Sequence, residues 1–163
     1  MQDRFDAGEW LRLVQAHGVT STFLVPTMLQ RILDHPDFTA SDLTSLGAIA
    51  YGAAAAPGAL VRAAMAAMPN VAFANLFGQT ETLGAYASLL PDDHGDPRRV
   101  GSVGRPLPGV VLRVVDPETG TDVAPGTVGE LWGNTSQNVV EGWLHTGISP
   151  ARIPTATSIP ADG

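Results

Sequence analysis

The stretch LGAIAYGAAAAPGALVRAAMAAMPNVAFANLFGQTET, residues 46–82, indicates the fold class. Residues 46–51 form a short apolar run that predicts a buried strand, and a loop of small residues follows at 52–56. Pro57 suits the first position of a helix, because its missing N–H is not needed there. Residues 71–77 are again rich in apolar and aromatic side chains and predict another strand. A strand, a helix and a strand in this order predict a crossover unit in a parallel sheet.

The same alternation continues on both sides of this stretch. A capping-box pattern predicts a helix over residues 7–17, residues 19–25 predict a strand, and Pro26 opens a second helix. Residues 85–90 predict a further strand. We therefore expect an α/β fold in which an incomplete parallel sheet is flanked by helices, and we assign it to residues 1–97.

The pattern changes after residue 91. Residues 92–99 are a polar linker that contains Pro and Gly. Residues 110–115 and 128–132 predict two strands, and the DPETG turn between them is typical of a hairpin-like connection. We expect a partial β-rich subdomain at residues 98–147 and an irregular tail at residues 148–163, where no periodicity is visible.

The composition excludes several classes of function. The formal charge of −7 argues against a nucleic-acid partner, because phosphate binding needs a concentrated basic patch. There is no cysteine for a disulfide or a thiolate metal site, and the nine basic residues include no lysine. The longest uncharged run, residues 43–61, is too weakly hydrophobic for a membrane span. We expect a soluble, cytoplasmic protein, and its oligomeric state stays open.

Four histidines are the remaining candidates for metal or acid–base chemistry. They share no metal-ligand spacing, and we assign none of them a catalytic role. They are His17, His35, His94 and His145.

A polar cluster lies where the strand of residues 71–77 is predicted to end. In open α/β sheets, ligands bind outside the carboxyl ends of the strands. The Thr80 hydroxyl suits a phosphate oxygen, and the Glu81 carboxylate suits Mg²⁺, which prefers oxygen ligands. From composition alone, a cap on a following helix is the commoner explanation for these two side chains.

The sequence of this cluster, FGQTET at residues 77–82, resembles the central motif of the adenylate-forming, or AMP-binding, superfamily. That superfamily includes acyl-CoA synthetases, luciferases and peptide-synthetase adenylation domains. Further segments resemble family motifs in the family's order, and together they extend over about residues 5–147. They are residues 5–31, YGAA at 51–54, GSVGRPLPG at 101–109, GELW at 129–132 and GWLHTG at 142–147.

The resemblance implies a reaction in two steps. A carboxylate attacks the α-phosphate of ATP and expels pyrophosphate, which gives an acyl-adenylate. The thiol of coenzyme A then displaces AMP to form a thioester. ATP, Mg²⁺ and coenzyme A are the implied cofactors, and a small-molecule carboxylic acid is the implied substrate. A fatty acid is our first expectation, and an aryl acid is the alternative.

The resemblance also implies roles for individual residues. Thr80 and Glu81 are the catalytic candidates: Thr80 contacts the phosphate, Glu81 holds Mg²⁺, and Phe77 stacks on the adenine. The other implied nucleotide and acyl contacts come from Gly52, Ala53, Ala54, Asn75, Gly78 and Gln79. Close packing between a strand and a helix is the alternative explanation for the small residues of the 52–54 loop.

Three departures from the family pattern predict an incomplete enzyme. Ile148 stands where the resemblance implies an aspartate that binds the ribose hydroxyls. The family's lysine-bearing phosphate loop and its mobile C-terminal domain have no match in the chain. We expect a truncated ligase that is inactive alone; half of a split synthetase and a non-catalytic acyl-binding module are the alternatives. A one-base frameshift after Gly147 is our hypothesis for the loss of the aspartate.

Overall fold

The computed structural model describes residues 4–136 and 142–148. It divides into two compact units. The first contains the described residues up to Gly78 together with Ala85–Arg105, and the second contains Gln79–Gly84 together with the described residues after Arg105. The subdomain division expected between residues 97 and 98 stays a prediction. The expected tail, apart from Ile148, lies outside the described residues.

Three helices belong to the first unit. They are α1 (Ala7–His17), α2 (Pro26–Leu33) and α3 (Gly58–Ala67). The Asp6 carboxylate accepts a hydrogen bond of 2.8 Å from a backbone N–H of the first turn of α1, and Gly18 ends that helix in the left-handed conformation. The predicted start of α2 at Pro26 is confirmed. Pro57 caps α3 and is not its first residue, so the predicted start was one residue early.

The first unit is built around a sheet of five strands in the order β1-β2-β3-β4-β5. The strands are β1 (Ser21–Leu24), β2 (Ala48–Gly52), β3 (Ala72–Gln79), β4 (Gly84–Leu89) and β5 (Arg105–Pro106). Strands β1, β2 and β3 are parallel, which confirms the predicted crossover units. A short turn joins β3 to β4, so these two neighbours are antiparallel and the sheet is mixed. Strand β3 continues two residues beyond the predicted end at Phe77.

The core of the first unit lies between the parallel strands and the helices. Its members come from the apolar faces of α1, α2 and α3 and from alternate residues of the strands. The largest fully buried side chains are Leu11, Leu29, Ile32, Ile49, Tyr51, Val61 and Phe73. Burying each aliphatic side chain of this size contributes about 1.5–3 kcal/mol, and this core holds the carboxyl ends of β2 and β3 in place.

The second unit contains an antiparallel sheet. Its strands are β6 (Val110–Val115), β7 (Glu130–Thr135) and β8 (Leu144–His145), in that order. The predicted turn between β6 and β7 is confirmed, because the Asp116 carboxylate accepts hydrogen bonds from the N–H groups of Glu118 and Thr119. Asx turns of this kind are a common way to reverse the chain. None of the helices in the described ranges has the length and hydrophobicity that a bilayer crossing needs.

Candidate functional site

The candidate loop of the first unit begins where β2 ends. Gly52 is the last residue of β2 and lies opposite Leu76 of β3 in the parallel register. A Cβ atom at Gly52 would lie 2.1 Å from the carbonyl oxygen of Leu76, which no side chain can tolerate without a backbone shift. The close approach of these two strands therefore requires glycine.

Ala53 and Ala54 follow Gly52 and are exposed. Ala53 has a φ of 62°, a left-handed conformation that is unusual for a residue with a side chain. Small residues are needed where the backbone turns this sharply, and they leave space above the end of the strand. The structure thus places Gly52, Ala53 and Ala54 together at the carboxyl edge of the parallel strands, where ligands bind in such sheets.

Two candidate side chains of β3 also belong to the first unit. Asn75 lies opposite Tyr51 in the register, and its Nδ2 donates a hydrogen bond of 3.2 Å to the backbone oxygen of Ser102. The ring of Phe77 is half-buried, and its centroid lies 5.0 Å from that of Tyr86 at an angle of 51°. The Asn75 amide therefore orients a neighbouring turn, while part of the Phe77 ring stays accessible.

The remaining candidates belong to a tight turn of the second unit. Residues Thr80–Thr82 form one 3-10 turn, in which the N–H of Gln79 donates to the buried Thr82 hydroxyl at 3.0 Å. This turn leaves the Thr80 and Glu81 side chains exposed. No helix follows, because β4 begins at Gly84, so the helix-cap explanation for Thr80 and Glu81 is wrong.

Gln79 has a protein partner that sequence reasoning missed. Its Nε2 donates a hydrogen bond of 2.9 Å to the backbone oxygen of Thr146. The buried Thr146 hydroxyl donates in turn to the Leu131 oxygen of β7 at 2.6 Å. Both residues lie in motifs that resemble those of the family, and that likeness was the one sequence signal for their contact. Gln79 therefore connects the turn after β3 to residues 145–148, which begin with His-Thr-Gly and are called the HTG segment below.

Backbone hydrogen bonds also hold the end of the HTG segment. The Leu131 N–H donates to the Ile148 oxygen at 3.2 Å, and the Gly147 N–H donates to the Glu130 carboxylate at 3.0 Å. The Ile148 side chain is 36% exposed. The segment is therefore in place beside β7, while its last described residue offers no side-chain oxygen.

The comparisons with known proteins agree with this architecture. The sequence model described as AMP-binding enzyme matches residues 1–144. A medium/long-chain-fatty-acid–CoA ligase of Mycobacterium tuberculosis is 38% identical over 158 residues, which is 88% of this chain and 27% of the relative. A fatty acid–[acyl-carrier-protein] ligase of Streptomyces coeruleorubidus is 33% identical, over 88% of this chain and 30% of the relative.

A solved structure shows the same fold at similar identity. The amide bond synthetase of Marinactinospora thermotolerans superimposes with a TM-score of 0.79 at 32% identity, over 90% of this chain and 32% of that one. The chain thus spans about a third or less of the length of these relatives. Because the family model extends over most of the sequence and the fold agrees, the chain belongs to the AMP-binding enzyme family.

Proposed function

We propose that this chain is part of an ATP-dependent acid–CoA ligase, which activates a carboxylic acid as its acyl-adenylate and then transfers the acyl group to coenzyme A. The observation that carries the proposal is the turn after β3, which exposes a hydroxyl and a carboxylate side by side on a tightly hydrogen-bonded backbone. Its sequence, FGQTET, resembles the family's central motif.

In the first unit, the loop of residues 52–54 contacts the nucleotide and the acyl group. The exposed Ala53 and Ala54 leave space for a ligand, and Gly52 lets β2 and β3 approach closely beneath it. Phe77 offers a partly accessible ring on which a purine can stack. Asn75 and Gly78 complete this set at the end of β3.

In the second unit, Thr80 and Glu81 bind the phosphate and Mg²⁺. Mg²⁺ is usually held by one or two carboxylates together with substrate phosphates and water, so one exposed carboxylate fits it. Residues 4–136 and 142–148 contain no cluster of three metal-binding side chains. When bound, the metal neutralises the charge that develops on the phosphate. Thr80 donates a hydrogen bond to a phosphate oxygen, and Gln79 orients the turn through Thr146.

The proposed substrate is a fatty acid. The relative at 38% identity is named as a medium/long-chain-fatty-acid ligase, whereas relatives at 30% and 31% are named for indoleacetate and 4-coumarate. Coenzyme A is the proposed acyl acceptor. A cytoplasmic location and the lack of a nucleic-acid partner stay predictions.

We also propose that these 163 residues do not turn over alone. They contain no lysine, so no lysine ammonium group is available to the phosphate in either step. The Ile148 side chain cannot accept a hydrogen bond from a ribose hydroxyl, and leaving a ligand hydroxyl unpaired lowers the affinity.

The test compares nucleotide binding with and without the metal. Isothermal titrations with AMP alone and with Mg²⁺·ATP are performed on the chain, on Glu81→Gln and on the control Glu118→Gln, an exposed glutamate of the β6–β7 turn. We expect Glu81→Gln to weaken Mg²⁺·ATP about tenfold or more and to leave AMP unchanged, because it removes a metal ligand only. Equal affinities of the two variants for Mg²⁺·ATP would refute the role of Glu81.

A pyrophosphate exchange assay with a panel of acids tests the proposed lack of turnover. We expect no exchange above background with the chain alone. Exchange that Glu81→Gln abolishes would show an active enzyme instead. Exchange only after addition of a complementary polypeptide would show half of a split synthetase. Saturable fatty-acid binding without any nucleotide binding would indicate the acyl-binding module.

A further inference from the structure

A buried histidine contacts the residue from which the 52–54 loop begins. His94 lies in the short 3-10 turn Pro91–Gly95 and is 3% exposed. Its Nε2 lies 3.0 Å from the hydroxyl of Tyr51, which is fully buried at the end of β2. The two rings meet edge to face, with their centroids 5.8 Å apart. The pair belongs entirely to the first unit.

The direction of both hydrogen bonds follows from the acceptor at the far side of the imidazole. His94 Nδ1 lies 2.8 Å from the backbone oxygen of Leu90, and a carbonyl oxygen only accepts. A ring proton on Nδ1 therefore satisfies the Leu90 oxygen, and Nε2 then accepts from the Tyr51 hydroxyl. Each polar atom of the pair has one partner, and loss of either bond leaves a buried group unsatisfied.

Tyr51 immediately precedes the loop of residues 52–54, so its contact with His94 bears on the conformation of that loop. The next residue, Gly52, lies against the Leu76 carbonyl with no space for a Cβ, and Ala53 then takes a left-handed φ of 62°. An alanine persists in that conformation only when the surrounding structure determines it. Ala53 and Ala54 are exposed, so the contacts that fix the loop conformation have to come from the strand that precedes it.

We infer that His94 is a positioning residue for the loop of residues 52–54. Its hydrogen bond to the Tyr51 hydroxyl fixes the backbone conformation of this loop, which contacts the nucleotide and the acyl group in the proposed function. The consequence for ligand binding rests on that proposed function. The consequence for the loop conformation does not, so the two are measured separately.

Two substitutions at position 94 separate its two hydrogen bonds. Glutamine places an amide oxygen near the place of Nε2 and keeps an acceptor for Tyr51. Asparagine places its amide near Nδ1, so it keeps the donor to Leu90 and loses the contact with Tyr51. Tyr51→Phe removes the hydroxyl and retains the buried ring. These three variants are compared with the parent chain by NMR of labelled protein without ligand.

The backbone and Cβ resonances of Ala53 report the loop conformation, and the backbone resonances of Gly18, a left-handed residue at the end of α1, report the intact fold. We expect His94→Asn and Tyr51→Phe to shift the Ala53 resonances in the same direction, His94→Gln to keep them near those of the parent, and Gly18 to stay unchanged. In a Tyr51→Phe background, the Asn and Gln variants should give equal Ala53 resonances.

An AMP titration then measures the effect on the ligand. We expect about fivefold weaker AMP binding in His94→Asn and Tyr51→Phe than in His94→Gln, which is the effect of one lost hydrogen bond. Unmoved Ala53 resonances in all variants, or equal shifts in the Gln and Asn variants, would overturn the inference. If the parent chain binds no AMP, the proposed function fails, and the Ala53 resonances alone decide the role of His94.

Discussion

The most direct test of the strand geometry is Gly52→Ala. The new Cβ would lie 2.1 Å from the Leu76 oxygen, well inside the 3.4 Å at which ordinary contacts begin. The backbone of β2 fixes the position of the Cβ, and the oxygen belongs to the backbone of β3, so no side-chain rotation relieves the overlap. Interiors resist compression, and forced insertion of a methyl group costs about 1–3 kcal/mol.

Gly47→Ala is the matched control, because Gly47 immediately precedes the same strand. Its Cβ would lie 3.7 Å from the nearest backbone oxygen, which is an ordinary contact. Replacing such a glycine stabilises by about 0.4–1 kcal/mol, because the unfolded chain loses freedom. The two variants should therefore differ by about 1.4–4 kcal/mol in free energy of unfolding.

Urea unfolding followed by far-ultraviolet circular dichroism measures this difference. With a slope of about 1–3 kcal/mol per molar urea, the two midpoints should be separated on the order of 1 M. Coincident midpoints would refute the close approach of β2 and β3 at Gly52, and with it the reason for a glycine at the start of the loop.

Four other predictions concern the same elements. Thr146→Val should destabilise by about 1–3 kcal/mol in urea, because it removes the buried donor to β7, whereas Thr127→Val at an exposed position should change stability by less than about 0.5 kcal/mol. Burial raises the pKa of Tyr51 to about 12, so stability should be complete below about pH 10 and fall by roughly 2–3 kcal/mol as the pH rises through 12, a fall that Tyr51→Phe should abolish. The backbone N–H groups of Thr119 and Glu118 lower the pKa of Asp116, so its contribution should disappear as the pH falls below about 4, and Asp116→Asn should flatten that part of the stability curve. Ile148→Asp should leave the free energy of unfolding within about 1 kcal/mol of that of the parent, because the side chain is partly exposed, and should raise AMP affinity in isothermal titration; an unchanged affinity would contradict the role expected for an aspartate there.

The sequence was sufficient to predict those elements whose structure depends on residues close together in the chain. The apolar runs before residues 52 and 78 became β2 and β3, and the bounds of α1 follow from a carboxylate cap at one end and a left-handed glycine at the other. These signals act within a few residues, so periodicity and capping rules detect them.

The sequence was insufficient where distant residues decide the structure. Gly78 is a weak strand former, yet β3 extends through Gly78 to Gln79, because β4 returns beside it after a tight turn. The Tyr51–His94 contact joins residues 43 apart, and the Gln79–Thr146 contact joins residues 67 apart. No local pattern encodes such pairs, and His94 carried no signal of its own.

In the HTG segment, backbone hydrogen bonds fix the position of the motif, whereas the side chain at position 148 determines whether a ligand oxygen is present. Leu131 of β7 hydrogen bonds to the backbone of Thr146 and Ile148, and the Thr146 hydroxyl reinforces this ladder. None of these hydrogen bonds involves the side chain at position 148. A frameshift that begins after Gly147 would therefore leave these hydrogen bonds to β7 in place, although it would replace the oxygen ligand at position 148. The gene's nucleotide sequence decides the matter, since a one-base shift either restores an aspartate codon after Gly147 or does not.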